Sequence, residues 1–199
     1  MTMIRDHIRP AVVLTLLLCV ITGLLYPGAV TVVAELLFPR QAGGSLITRG
    51  GQVVGSRLIG QAFAAPYYFH SRPSAAGAGY DATASAGSNK GPTDLKLADT
   101  LIAQAVEKVV SEDGAQKGHI PADMVTASAS GLDPHISPAN ALLQVSRVAR
   151  ERGADPGAVR ALVDRYTEGR QFGVLGEPAV NVLELNLAID RAYPRPARP

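Results

Sequence analysis

The chain has 199 residues, with 19 Lys and Arg against 17 Asp and Glu and a formal charge of +2. Its basic side chains are scattered rather than striped, which speaks against nucleic acid as a partner. The single cysteine, Cys19, lies in an apolar run, so the remaining roughly 160 residues, enough for one domain, contain neither a disulfide nor a thiolate metal site.

Between Arg9 and Glu35 no charged residue occurs, and Ala11 to Leu25 is dominated by Val, Leu and Ile. That length crosses a bilayer, and a charge at mid-membrane costs about 2.5–3.5 kcal/mol on an insertion scale. The sequence therefore predicts a tail over residues 1–10 and a transmembrane anchor over 11–38. Pro27 and Gly28 are expected to kink the helix or to end its tightest part near an interface where Tyr26 sits. A cleaved signal peptide is the competing reading, with Arg5 and Arg9 as its basic region and Val32, Val33 and Ala34 as the cleavage site. Apolar residues resume after Pro27, through Val30, Val32, Val33, Leu36, Leu37 and Phe38, and favour retention. Arg5 and Arg9 before the span nearly balance Arg40 and Arg49 after it. A short tail ahead of a long domain still predicts a cytoplasmic N-terminus and an extracytoplasmic domain.

The domain is expected over residues 39–193, beyond a Gly43–Gly44 hinge, with a disordered proline-rich tail over 194–199. Leu46 and Ile47, then Val53 and Val54, flank Arg49, Gly50, Gly51 and Gln52 and predict a hairpin. From Ala64 to Pro92 no period appears, and a long ordered loop is expected. Thr93 is read as the cap of a helix carrying Ala98, Leu101, Ile102, Ala105, Val106 and Val109 and ending near Gly114. Ser137–Pro138 starts a second helix that stops at Gly153, and Asp155–Pro156 starts a third that runs to Gly169, the two forming a helical hairpin. Phe172 to Leu175 reads as a strand, and Val180 to Ile189 as a helix with Pro178 in its first turn. The fold class is α+β, or α/β, in a single domain behind one anchor helix.

Catalytic motifs are weak. Gly87, Ser88, Asn89, Lys90, Gly91, Pro92 lacks the spacing of a phosphate loop. His70, His119 and His135 have no second His or Cys at ligand spacing. Ser128, Ser130, Asp133 and His135 gather reactive residue types in one loop, which gives an alternative function as a secreted or membrane-tethered serine hydrolase using Ser128 or Ser130 with His135. A hydrolase places its base on a separate element, however, and Asp133 and Ser137 read more simply as turn and cap residues.

The run Gly55, Ser56, Leu58, Ile59, Gly60, Gln61, Phe63, followed by Tyr68, Phe69, His70, Arg72, Pro73, Ser74, Ala75 and then Gly79, Tyr80, Asp81, resembles the C subunit of the Kdp-type potassium-transporting ATPases. Gly87, Ser88, Asn89 and Gly91, Pro92, Thr93 are similar to that family's serine-glycine loop, with Ala86 and Lys90 as departures. Val125 to Asp133 is similar to its central signature, and Gly176, Glu177, Pro178 with Val180 to Ala188 to its C-terminal block. The resemblance implies a non-catalytic accessory subunit of a high-affinity ATP-driven potassium uptake pump. It implies a place in the bacterial inner membrane, beside a channel-like potassium-translocating subunit, a P-type ATPase subunit and membrane lipid. It also implies a role as a catalytic chaperone raising the ATP affinity of the ATPase subunit. ATP and potassium are then handled by the complex, and no cofactor is expected on this chain. Its candidate partner interface is Gly23, Gly28, Gln61, Tyr68, His70, Arg72, Ser74, Asp133, Glu177 and Asn181. Ser85, Gly87, Ser88, Asn89 and Gly91 form a candidate nucleotide loop.

Overall fold

The structure, a computed structural model, describes residues 2–194 and divides near Leu46 into an N-terminal and a C-terminal unit. The expected tail beyond Pro194 lies outside the described residues. In the N-terminal unit, α1 (Thr2–Val20), a π-helical turn (Ile21–Leu25) and α2 (Tyr26–Leu37) follow one another, and a short α3 (Pro39–Ala42) comes after them. The helix thus includes the segment read as a tail. Pro27 has no N–H, and its ring crowds the carbonyl one turn back. The helix widens just before it, where the Tyr26 N–H donates to the Ile21 carbonyl five residues earlier. Asp6–Leu37 is long and apolar enough to cross a membrane, and none of it is buried. A helix from the core of a soluble protein would be mostly covered.

The C-terminal unit opens with the hairpin β1 (Leu46–Arg49) and β2 (Gln52–Ser56). Gly50 and Gly51, at φ 59° and 81°, supply the two left-handed residues of its turn. Residues 57–94 contain turns but no helix or strand, as expected of the long loop. A π-helical segment (Lys96–Ile102) leads into α4 (Ala103–Asp113), closed by Gly114 at φ 68°. The Leu97 N–H is capped by the Asp94 carboxylate at 3.1 Å, so Asp94 rather than Thr93 starts this helix. Its carboxylate has the stronger acceptor.

After the short α5 (Ala122–Val125) come β3 (His135–Ile136), α6 (Pro138–Arg152), α7 (Pro156–Arg165), β4 (Thr167–Glu168), β5 (Ala179–Asn181) and α8 (Val182–Ala192). The helical hairpin is as predicted. Ser137 accepts from the Asn140 N–H, Asp155 accepts from the Ala158 N–H, and Gly153 ends α6 at φ 60°. Three further details of the sequence reading are corrected. Helix α7 stops at Arg165 rather than Gly169, because Thr167 and Glu168 pair antiparallel with Val180 and Ala179 of β5. Phe172 to Leu175 is no strand but a tight turn closed by a Gln171–Leu175 bridge, with Phe172 at φ 53° and 92% exposed. Val180 belongs to β5, so Asn181 rather than Pro178 starts α8, accepting from the Glu184 N–H at 3.1 Å.

Sheet β3-β5-β4 is antiparallel, with His135 opposite Asn181 and Ile136 opposite Val180. The fold is therefore mixed helix and sheet. Antiparallel pairing with helices gathered beside it selects α+β over α/β. Helix α6 packs along α7, α7 against α8 and α4 against α6. The core joins Val145, Val148 and Ala149 of α6, Val159 and Val163 of α7, Leu185 and Ile189 of α8, the strand residues Ile136 and Val180, and Phe69 from the long loop.

Candidate functional site

In loop 57–94, which lacks secondary structure, side chains of α6 and α8 take over the pairing of the backbone at residues 66–70, which cannot be buried unpaired. The Asn186 amide accepts from the Phe69 N–H at 2.8 Å and donates to the Phe69 carbonyl at 2.9 Å. Gln144 repeats this one residue on, accepting from the His70 N–H at 2.7 Å and donating to the His70 carbonyl at 3.1 Å. Each amide imitates a neighbouring strand. Arg147 donates to the carbonyls of Pro66 and Tyr68, and Arg152 to that of Tyr67.

Both guanidinium groups are buried, with side chains 3% and 0% exposed, and both are paired: Arg147 with Asp113 at 2.7 Å, Arg152 with Asp190 at 2.8 Å. Asp190 also accepts from Arg49 at 3.0 Å and from the Tyr68 hydroxyl at 3.1 Å. Arg152 lies 5.0 Å from the ring centres of both Tyr67 and Tyr68, close enough for a cation–π contribution. Charges taken this far from water persist only when paired and hydrogen-bonded.

The loop so held forms one wall of a cleft of about 350 Å³ lined by His70, Arg72, Tyr80, Lys108, Glu112 and their neighbours. Burial, and secondly the Arg147 charge, push the His70 imidazole below its usual range. Burial raises the Tyr80 phenol. Asp133 is desolvated too, but hydrogen bonds from His135 and the Arg72 charge outweigh that and lower it. Arg72 donates to Asp133 at 3.1 Å, while its Nε is buried without a partner. The Ser74 hydroxyl donates to the Gly131 carbonyl at 2.6 Å and accepts from the Tyr80 N–H at 2.8 Å. Gly131, at φ 68°, sits where a Cβ would meet the Ala76 nitrogen and the Ala86 carbonyl at 2.6 Å, so only glycine lets these segments cross.

The structure brings His70 and Arg72 to the cleft, with Asp133 and Ser74 fastened beside them. Tyr68 is engaged with Asp190, Gln61 donates to the Val54 carbonyl at 2.9 Å, and Asn181 donates to the Arg57 carbonyl at 2.8 Å while capping α8. Glu177 lines a second groove, which Arg72 and Asp133 also line, and both its carboxylate oxygens accept from Arg170. Gly23 and Gly28 are in the N-terminal unit, with nothing within 4 Å of where a Cβ would stand. In the candidate nucleotide loop, Ser85 donates to the Ser130 carbonyl at 2.9 Å, Gly87 packs on the Ala129 carbonyl, Asn89 adopts φ 52°, and Lys90 pairs with Asp94 at 2.7 Å. Ser88 and Gly91 belong to the same stretch.

The hydrolase alternative is not supported. The Ser128 hydroxyl accepts from the Gly131 N–H at 2.9 Å, the Ser130 hydroxyl accepts from the Leu132 N–H at 3.1 Å, and the His135 ring faces Asp133. These are turn contacts, as is the Asp133 acceptor for the His135 N–H at 2.9 Å. Among the described residues no group of three His, Cys, Asp or Glu side chains is placed to hold a metal.

The residues missed by sequence reasoning are Gln144, Arg147, Arg152, Asn186 and Asp190. Their signal was present as polar side chains interleaved with the apolar stripes Val145–Val148–Ala149 and Leu185–Ile189. Without a view of the loop, such residues read as the solvated face of a helix.

An unburied apolar helix long enough to cross a membrane, ahead of a domain whose buried polar side chains hold its own loop, is consistent with a single-pass membrane protein. Comparison with known proteins agrees. The family described as KdpC, K+-transporting ATPase, c chain, matches residues 8–191. Similar relatives, each named Potassium-transporting ATPase KdpC subunit, include that of Gemmatimonas aurantiaca, 64% identical over 93% of this chain and 92% of the relative. That of Koribacter versatilis is 52% identical over 96% and 98%, and that of Myxococcus xanthus 58% identical over 87% and 82%. The chain belongs to the KdpC family: it is an accessory subunit of the Kdp potassium-transporting ATPase complex and not an enzyme on its own.

Proposed function

We propose that the chain is fixed in the bacterial inner membrane by its N-terminal helix, N-terminus inside and domain outside, and there stabilises assembly of the channel-like potassium subunit with the P-type ATPase subunit. The observation that carries this reading is the apolar helix Asp6–Leu37, long enough to cross a membrane and unburied among the described residues. Such a surface is stable only in lipid or against other transmembrane helices. The domain supplies a rigid surface rather than chemistry. Within it Tyr68, Ser74 and Asn181 act by holding shape, while His70, Arg72 and Glu177 remain accessible from the cleft or the outer surface. With ATP on the cytoplasmic side, any rise in the ATP affinity of the ATPase subunit reaches it as a coupling free energy through shared subunit contacts.

Deletion of Met1 to Phe38 tests this. The truncated domain is expected to stay soluble and to fail to co-purify with the affinity-tagged pump. Stoichiometric co-purification of the truncated domain would count against the anchor as the assembling element.

A further inference from the structure

We propose that the main-chain carbonyl of Thr22 is a docking point, at mid-membrane depth, for a hydrogen-bond donor on a transmembrane helix of a partner subunit. The inference rests on the reading that Asp6–Leu37 spans the bilayer within the pump. In the π-helical turn Ile21–Leu25 the amide register is five residues, ending with the Tyr26 N–H on the Ile21 carbonyl. The next nitrogen in that register is that of Pro27, which has no hydrogen to give the Thr22 carbonyl.

Thr22 stands halfway along Asp6–Leu37. Water does not reach that depth and lipid tails offer no donor, so an unpaired carbonyl there is costly. The residue's own hydroxyl does not serve it, because it gives its hydrogen to the Leu18 carbonyl at 2.7 Å. Space is available. A Cβ at Gly23 or Gly28 would meet nothing within 4 Å, so a second helix can approach the backbone closely. A hydroxyl or amide side chain on that helix completes the pairing and fixes the depth at which the two helices meet.

Thr22–Gly23 is the sole Thr-Gly step in the sequence. Labelling the full chain with carbonyl-13C threonine and 15N glycine therefore isolates this one carbonyl in a 13C–15N filtered solid-state NMR spectrum. The Thr22 carbonyl resonance is expected to move downfield, as hydrogen bonding demands, when the chain passes from phosphatidylcholine vesicles alone to the assembled pump. In Pro27→Ala, which regains a backbone donor, the resonance should lie downfield in both settings. An unchanged wild-type resonance in a chain that has demonstrably co-purified overturns the docking point and leaves the subunit reading intact. Failure of the labelled full chain to co-purify overturns both.

Discussion

Gln144 satisfies all of its amide hydrogen-bonding groups at once, with the backbone of His70, the Asn140 carboxamide and the Arg147 guanidinium. Truncation leaves the half-buried His70 N–H and carbonyl without their shared partner, and a buried group left unpaired costs about 1–3 kcal/mol. Gln144→Ala should therefore lose roughly 3 kcal/mol or more in chemical denaturation of the full chain in detergent, and a loss below about 1 kcal/mol would mean that water replaces the amide. His70 itself makes stability depend on pH. Its folded-state value lies below the ordinary one of about 6.5, because burial and the Arg147 charge oppose protonation while Glu112 offsets only part of this. The unfolded chain thus binds the proton first. Stability from this group is complete above about pH 6.5 and falls as pH drops below it, until the folded His70 protonates as well. Melting at pH 7.5 and 5.5 should show a smaller drop in His70→Gln than in the wild type, and equal drops would remove His70 as the cause.

At the scale of elements, caps and stops were legible wherever one local signal acted alone. Ser137–Pro138, Asp155–Pro156, Gly114 and Gly153 mark helix ends by their own backbone chemistry, and Gly50–Gly51 marks the hairpin turn. The three-stranded sheet was not legible. Its strands are two or three residues long, and their partners are remote in sequence, His135 with Asn181 and Thr167 with Val180. No period develops over so short a run, so Thr167–Glu168 was absorbed into the helix before it and Val180 into the helix after it. Phe172 to Leu175 misled for the opposite reason. Its apolar composition suggests a strand, whereas Gly173 and Gly176 at φ 77° and 78° turn it into a knuckle carrying Phe172 at φ 53°. A bulky side chain in the left-handed region costs about 1 kcal/mol or more, and exposed Phe172 recovers little by packing. Phe172→Asn should leave stability unchanged or raise it by up to about 1 kcal/mol in thermal melts. A clear loss would show that the ring is packed after all.

For the whole molecule, the long apolar helix and the family resemblance were both visible in the sequence, whereas the residues around the cleft were only partly so. His70, Arg72, Ser74 and Asp133 were chosen as surface contacts, and the structure places them at or beside one cleft. The grid that positions them, from Asn186, Gln144, Arg147 and Arg152, depends on contacts more than 70 residues apart in sequence. Such pairings have no local pattern from which to be read. Together they describe a domain whose buried polar side chains hold its own long loop in place. Placement is the part of this account most open to direct test. With the assembled pump in intact spheroplasts, externally added protease should digest the domain to a short anchor fragment, and the same protease should leave it whole in sealed inside-out vesicles. The reverse pattern, a domain shielded in spheroplasts and cut in inside-out vesicles, would place it beside the ATP-binding side and contradict the account.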